Sequence, residues 1–184
     1  MSALTDFFVA SNTELAEVLP DWLPVADQPV TREVRNPFTG QMQVITEWPP
    51  AIDVPEDAEP GDAPQLGGVL HTQLKGIDHV KLAQLWAILT GGNLLEHISE
   101  LTRPALIEPA QTGETGLHRL PNELVQGLAT ITNPQTSGTQ WSATEEMQRD
   151  GFTPADCEQV LQELVRLAKE AKSQNKGMYF WWNM

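Results

Sequence analysis

The chain predicts an α/β fold of the α+β type: one compact domain over residues 1–184, in which a small mixed sheet holds both the N-terminal and the C-terminal strand and packs against helices. Three stretches predict it. Thr153 to Lys176 carries Cys157, Val160, Leu161, Leu164, Val165, Ala168 and Ala171 on one helical stripe. Met178-Tyr179-Phe180-Trp181-Trp182 is apolar or aromatic on both faces, as a covered central strand must be. Phe7-Phe8-Val9-Ala10 is a short apolar run bounded by polar residues and followed at once by a helix start.

Each element has its own signal. Ser11-Asn12-Thr13-Glu14 has the form of a capping box, and Leu15, Val18 and Leu19 supply one apolar face until Pro20 and Pro24 end the helix. Val30 to Arg35 and Gln41 to Trp48 read as a hairpin around Asn36-Pro37-Phe38-Thr39-Gly40, because Met42, Val44, Thr46 and Trp48 alternate with mostly polar neighbours. From Pro49 to Gly68, five prolines and five acids preclude a helix or a central strand. Residues 30–68 therefore form a hairpin and an acidic, proline-rich loop inserted within the domain.

The remainder is more regular. Val69 to Leu74 reads as a strand; Asp78 caps a helix through Thr90, with Leu82, Leu85, Trp86 and Leu89 at helical spacing and Gly91-Gly92 as its stop. A helical turn follows near Leu94 to Glu100, then strands at Ala105-Leu106-Ile107 and Leu117-His118-Arg119. Pro121 suits a first helical turn, with Leu124, Val125, Leu128 and Ile131 behind it. One helix is expected around Trp141 to Arg149, and the long one opens on Thr153-Pro154-Ala155-Asp156, gathers Lys169, Lys172 and Lys176 at its end, and stops at Gly177.

Charge narrows the partners. The net charge is −14, of which −10 falls in residues 1–64, where 12 acids face only Arg32 and Arg35. That layout disfavours nucleic acid, whose phosphates need a Lys/Arg stripe, and anionic membranes. The single cysteine, Cys157, makes no internal disulfide, which suits a reducing compartment. Met1-Ser2-Ala3-Leu4-Thr5-Asp6 lacks a basic leader region, and no apolar run reaches the roughly 18–20 residues of a membrane span, so a cytoplasmic location is expected.

The helix Leu85-Trp86-Ala87-Ile88-Leu89-Thr90-Gly91, the short strand leading into Leu120-Pro121-Asn122-Glu123-Leu124-Val125, and a long helix ending in a small basic turn and a last apolar strand together resemble the YfbM-like proteins, an uncharacterised bacterial family. The likeness covers residues 75–184, with an echo in Asp6 to Val9. It implies a compact single-domain α/β protein of the bacterial cytoplasm and supplies no catalytic residue.

The residues offer four chemistries. His97 and Glu100, three apart on a helix, could meet one metal ion, but no cysteine pair or HExxH pattern completes a site, and a solvated helix face explains them better. Asp78 with His71, His79 and His118 could form an acid–base site, although Asp78 already serves as a helix cap. Cys157 lies in register with the apolar stripe and reads as a core residue. Gly67-Gly68 and Gly91-Gly92 lack any phosphate-loop or dinucleotide spacing, and no cofactor is expected. Trp22 and Trp48 lie beside prolines in the acidic third, where an indole can anchor a partner.

The reading that follows is a non-enzymatic interaction protein. Its acidic surface, with Asp53, Glu56, Asp57, Glu59, Asp62, Trp22 and Trp48, would bind a basic protein, as an immunity protein neutralises a basic toxin. The alternative is a small hydrolase-like enzyme with a histidine/carboxylate site.

Overall fold

The computed structural model describes residues 4–18, 30–35, 42–47, 66–102 and 115–183. In chain order these form β1 (Leu4–Ala10), α1 (Asn12–Val18), β2 (Val30–Arg35), β3 (Met42–Glu47), a 3-10 turn (Leu66–Gly68), β4 (Leu70–Lys75), α2 (His79–Thr90) and α3 (Leu94–Leu101). After them come β5 (Thr115–Arg119), α4 (Asn122–Thr130), α5 (Pro134–Ser142), α6 (Glu145–Arg149), α7 (Pro154–Gln174) and β6 (Gly177–Asn183). This is a mixed α+β arrangement in which one sheet has the order β4-β1-β6-β5 and the hairpin β2-β3 pairs separately. The strand expected at residues 105–107 and residues 49–65 of the loop expected from Pro49 to Gly68 lie outside the described residues.

Both terminal strands are central and adjacent, as the two-faced aromatic run of β6 requires. Met178, Tyr179, Phe180 and Trp181 are each no more than 2% exposed. The pairings within this sheet are all antiparallel rather than mixed, because β6 enters between β1 and β5 and runs opposite to both. Phe7, Phe180, His118 and Thr72 share one row, and Phe8, Tyr179, Arg119 and His71 share the next. Successive residues of a strand point to opposite faces, so the two rows open onto different layers.

On one face, Phe7, Val9, Met178 and Phe180 meet the apolar stripes of α2, α4 and α7 in the main core. On the other, Phe8, Ala10, Leu117, Tyr179 and Trp181 are covered with Leu15 and Val18 of α1 and with Leu66. Phe7 stacks on Phe180 at 6.0 Å and Phe8 on Tyr179 at 5.5 Å, so both faces of the β1–β6 pair carry aromatic cross-strand contact.

The helix ends follow local chemistry. The Ser11 backbone N–H donates to Glu14 Oε2 at 2.8 Å, and the Glu14 N–H returns to Ser11 Oγ at 3.3 Å. Asp78 accepts from the Lys81 backbone N–H at 2.9 Å, and Gly91, at φ +72°, closes α2. Thr153 and Asp156 form the reciprocal box that opens α7, with Pro154 in its first turn. The expected stop at Gly177 is two residues too late. Asn175 ends α7 in the left-handed conformation at φ +52°, which its short polar side chain tolerates, and Gly177 instead begins β6, where a Cβ would lie 2.6 Å from the Tyr179 ring.

The single helix expected from Trp141 to Arg149 is two helices, α5 and α6. Asn133 accepts from the Thr136 N–H at 3.4 Å and Pro134 takes the first turn, so α5 starts seven residues earlier than its apolar pattern suggests. The small residues Thr136, Ser137 and Gly138 hide the helix in the sequence. Gly138 is what lets α5 lie against α7, since a Cβ there would sit 2.9 Å from the Glu158 backbone nitrogen.

Candidate functional site

The sheet separates the histidines that an acid–base site would need to gather. His71 sits on edge strand β4, on the face of Phe8 and Tyr179, while His118 sits on the opposite edge, β5, on the face of Phe7 and Phe180. Three strand spacings of about 4.8 Å put the two edges roughly 14 Å apart. One reacting proton would have to lie within about 3 Å of its base or one water away, so His71 and His118 do not share a site.

His71 has its own surroundings. Its exposed ring places Nδ1 3.1 Å from the Val69 carbonyl, which can only accept, so Nδ1 is the donor in that contact. Its register partner on β1 is Phe8, and two residues along the same face lies Asp6, which accepts from Gln73 Nε2 at 3.0 Å. Burial raises the Asp6 pKa, opposed by the Gln73 hydrogen bond and by His71. Asp6 and His71 lie 65 residues apart in sequence, and only strand register reveals that they are neighbours.

His118 is stacked on Phe180 with ring centroids 5.0 Å apart. Burial, followed by the charge of His79, pulls its pKa down to about 4. The structure thus brings His118 toward His79, at the start of α2, and both imidazoles belong to the sheet–helix boundary. A base with a pKa near 4 is weak at neutral pH.

Asp78 is engaged twice. It caps α2 and also accepts from Lys81 Nζ at 2.8 Å, while the same ammonium lies 2.7 Å from Asp150 at the end of α6. Lys81 is 2% exposed, and its two carboxylates are more than a third exposed. Burial opposes the charge of Lys81, but the hydrogen bonds to Asp150 and Asp78 outweigh it and the pKa is raised. Its backbone carbonyl accepts from the indole N–H of Trp141, a fully buried residue, at 3.0 Å. Apolar patterning could not find this cluster, because Lys81 lies among core-facing positions where a lysine is read as solvent-facing.

His97 departs from the expected solvated face. It is 8% exposed and lies flat on Trp86, with ring centroids 4.0 Å apart and planes 14° apart. Its Nε2 is 3.4 Å from Thr90 Oγ1, whose proton goes to the Trp86 carbonyl at 3.0 Å. The α3 helix packs on α2 through this ring and through Leu101, so His97 turns inward while Glu100 stays half-buried. Among the described residues, no group of three or more His, Cys, Asp or Glu side chains could hold a metal ion.

Cys157 is fully buried in the main core, and burial, with a smaller contribution from Asp156, pushes its thiol up to about 11. Trp22, Trp48, Asp53, Glu56, Asp57, Glu59 and Asp62 lie outside the described residues. No helix among the described residues is long and apolar enough to cross a membrane. No family model, curated protein or solved structure matches the chain.

Proposed function

We propose that this chain is a non-enzymatic protein-interaction module of the bacterial cytoplasm, whose acidic N-terminal third binds a basic protein partner in the manner of an immunity protein. The observation that carries the proposal is the charge division: −10 of the −14 lies in the first 64 residues, while residues 65–184 hold 13 acids against nine bases. A concentrated field of one sign accelerates encounter with an oppositely charged surface and rejects like-charged competitors. The stacked, low-pKa His118, the buried Cys157 and the helix-capping Asp78 support this reading over the hydrolase, because each already has a structural role. Kinship with the YfbM-like proteins is part of the proposal and rests on the segment order of residues 75–184.

The test compares the wild-type chain with the variant carrying Asp53→Asn, Glu56→Gln, Asp57→Asn, Glu59→Gln and Asp62→Asn as baits in lysate of the native host, followed by affinity measurement on the purified partner at two salt concentrations. The proposal expects a basic partner that the neutralised bait loses and whose affinity falls with salt. Equal recovery by both baits, or an affinity indifferent to salt, overturns it.

A further inference from the structure

We infer that α3 is a hinged flap, which docks on α2 through the His97–Trp86 stack and undocks as a unit about Gly91-Gly92 while the rest of the fold stays closed. Four observations carry this. The connection from α2 to α3 is Gly91-Gly92-Asn93, with Gly91 at φ +72° and nothing within 4 Å of the position a Cβ would take. That leaves the joint unobstructed and its backbone in a region glycine enters without strain.

Next, the docking contact is small. Only His97 and Leu101 of α3 are buried, Leu94 and Ile98 are partly buried against the core, and Leu95 is 74% exposed. An element with few buried apolar residues opens at lower free energy than the core elements around it. Then, the stack requires the glycine beneath it, for a Cβ on Gly92 would lie 2.3 Å from His97 Nε2 and 2.7 Å from Cε1. His97 therefore closes onto the hinge as well as onto Trp86, and ring and hinge form one latch.

Finally, the docked arrangement holds an unmet donor. Trp86 is 4% exposed, and its indole N–H is buried without an acceptor among the described residues. A buried donor left unsatisfied carries a desolvation cost that access to water removes, and this biases the docked state toward opening. By contrast, the other core indole of this helix layer, Trp141, donates to the Lys81 carbonyl at 3.0 Å and has no such bias.

Amide hydrogen exchange on the full chain, read residue by residue by NMR, tests the flap. The amides of Ile98 and Leu101 should exchange together and faster than buried amides of α7 such as Leu161 and Leu164. His97→Ala should speed the α3 amides by roughly five- to tenfold, the scale of one aromatic stack, and leave α7 unchanged; Gly92→Ala should do the same by displacing the ring. His97→Phe, which keeps a flat ring on Trp86, should restore slow exchange. The α7 amides in the same spectra report whether each variant is folded. The inference is overturned if α3 and α7 exchange at one rate in the wild type, or if His97→Ala speeds both helices equally, because α3 would then open only with the whole domain.

Discussion

The buried ammonium of Lys81 lies 2.7 Å from the Asp150 carboxylate, joining the first turn of α2 to the residue that ends α6. Asp78 shares the same ammonium at 2.8 Å, so the cation keeps one partner if it loses the other. Asp150→Asn should therefore cost about 1–2 kcal/mol, at the low end for a buried ion because Asp150 is open to water. Asp78→Asn keeps a competent cap and isolates the charge. The double variant should lose more than the sum of the two, since it leaves Lys81 buried and unpaired, and urea unfolding at neutral pH measures all three. The Lys81 hydrogen bond lowers the Asp150 pKa, so its contribution is present above the ordinary carboxylate value of 3.8 and is lost as pH falls through the lower folded value.

The neutral state of His118 should leave a signature in the pH dependence of stability. Its pKa is about 4 in the folded chain against an ordinary 6.5, so between those values the unfolded chain binds the extra proton. Stability is then fully present above about pH 6.5 and declines as pH falls toward 4, by up to about 3 kcal/mol. His118→Phe, which keeps a ring against Phe180, should flatten that part of the profile. An NMR titration giving His118 an ordinary midpoint would refute the assignment.

Gly138→Ala sets two effects against each other. Alanine gains up to about 1 kcal/mol in helix propensity, but its Cβ would lie 2.9 Å from the Glu158 nitrogen and 3.1 Å from its Cα. Those are backbone atoms of α7 that cannot rotate away, and overpacking of this kind costs about 1–3 kcal/mol. The expected outcome is a lower melting temperature; an unchanged or higher one would mean that α5 and α7 do not approach so closely.

Cys157 should be inert in the native protein. With the thiol fully buried and its pKa pushed up to about 11, little thiolate exists at pH 8 and reagents cannot reach it. Labelling by a thiol-reactive disulfide should be slow and should accelerate sharply across the urea transition. Rapid stoichiometric labelling without denaturant would contradict the core placement.

The clearest parts of the fold were legible because their signals are local. The Ser11–Glu14 box, the Asp78 cap, the Gly91 stop and the Thr153–Asp156 box each operate within four residues, so neighbouring side chains decide them. The aromatic run Met178–Trp181 predicted a covered strand because no exposed edge would carry apolar residues on both faces. The start of α5 was obscured by small polar residues whose value lies in close packing on α7, a property of the partner helix rather than of the segment itself.

The site residues divide along the same line. From the sequence alone came the helix caps, the core position of Cys157 and the concentration of negative charge in residues 1–64, all of which follow from local spacing and counting. Only the tertiary structure decided that β6 runs between β1 and β5, that His71 and His118 occupy opposite edges and faces, that Asp6 neighbours His71, and that His97 turns inward onto Trp86. The reason is physical: a strand's period of two fixes which residues share a face, but which strands adjoin, and in what register, depends on burying both sides of the sheet at once. Lys81 shows the same limit, since the second carboxylate that shares its buried charge, Asp150, comes from 69 residues away.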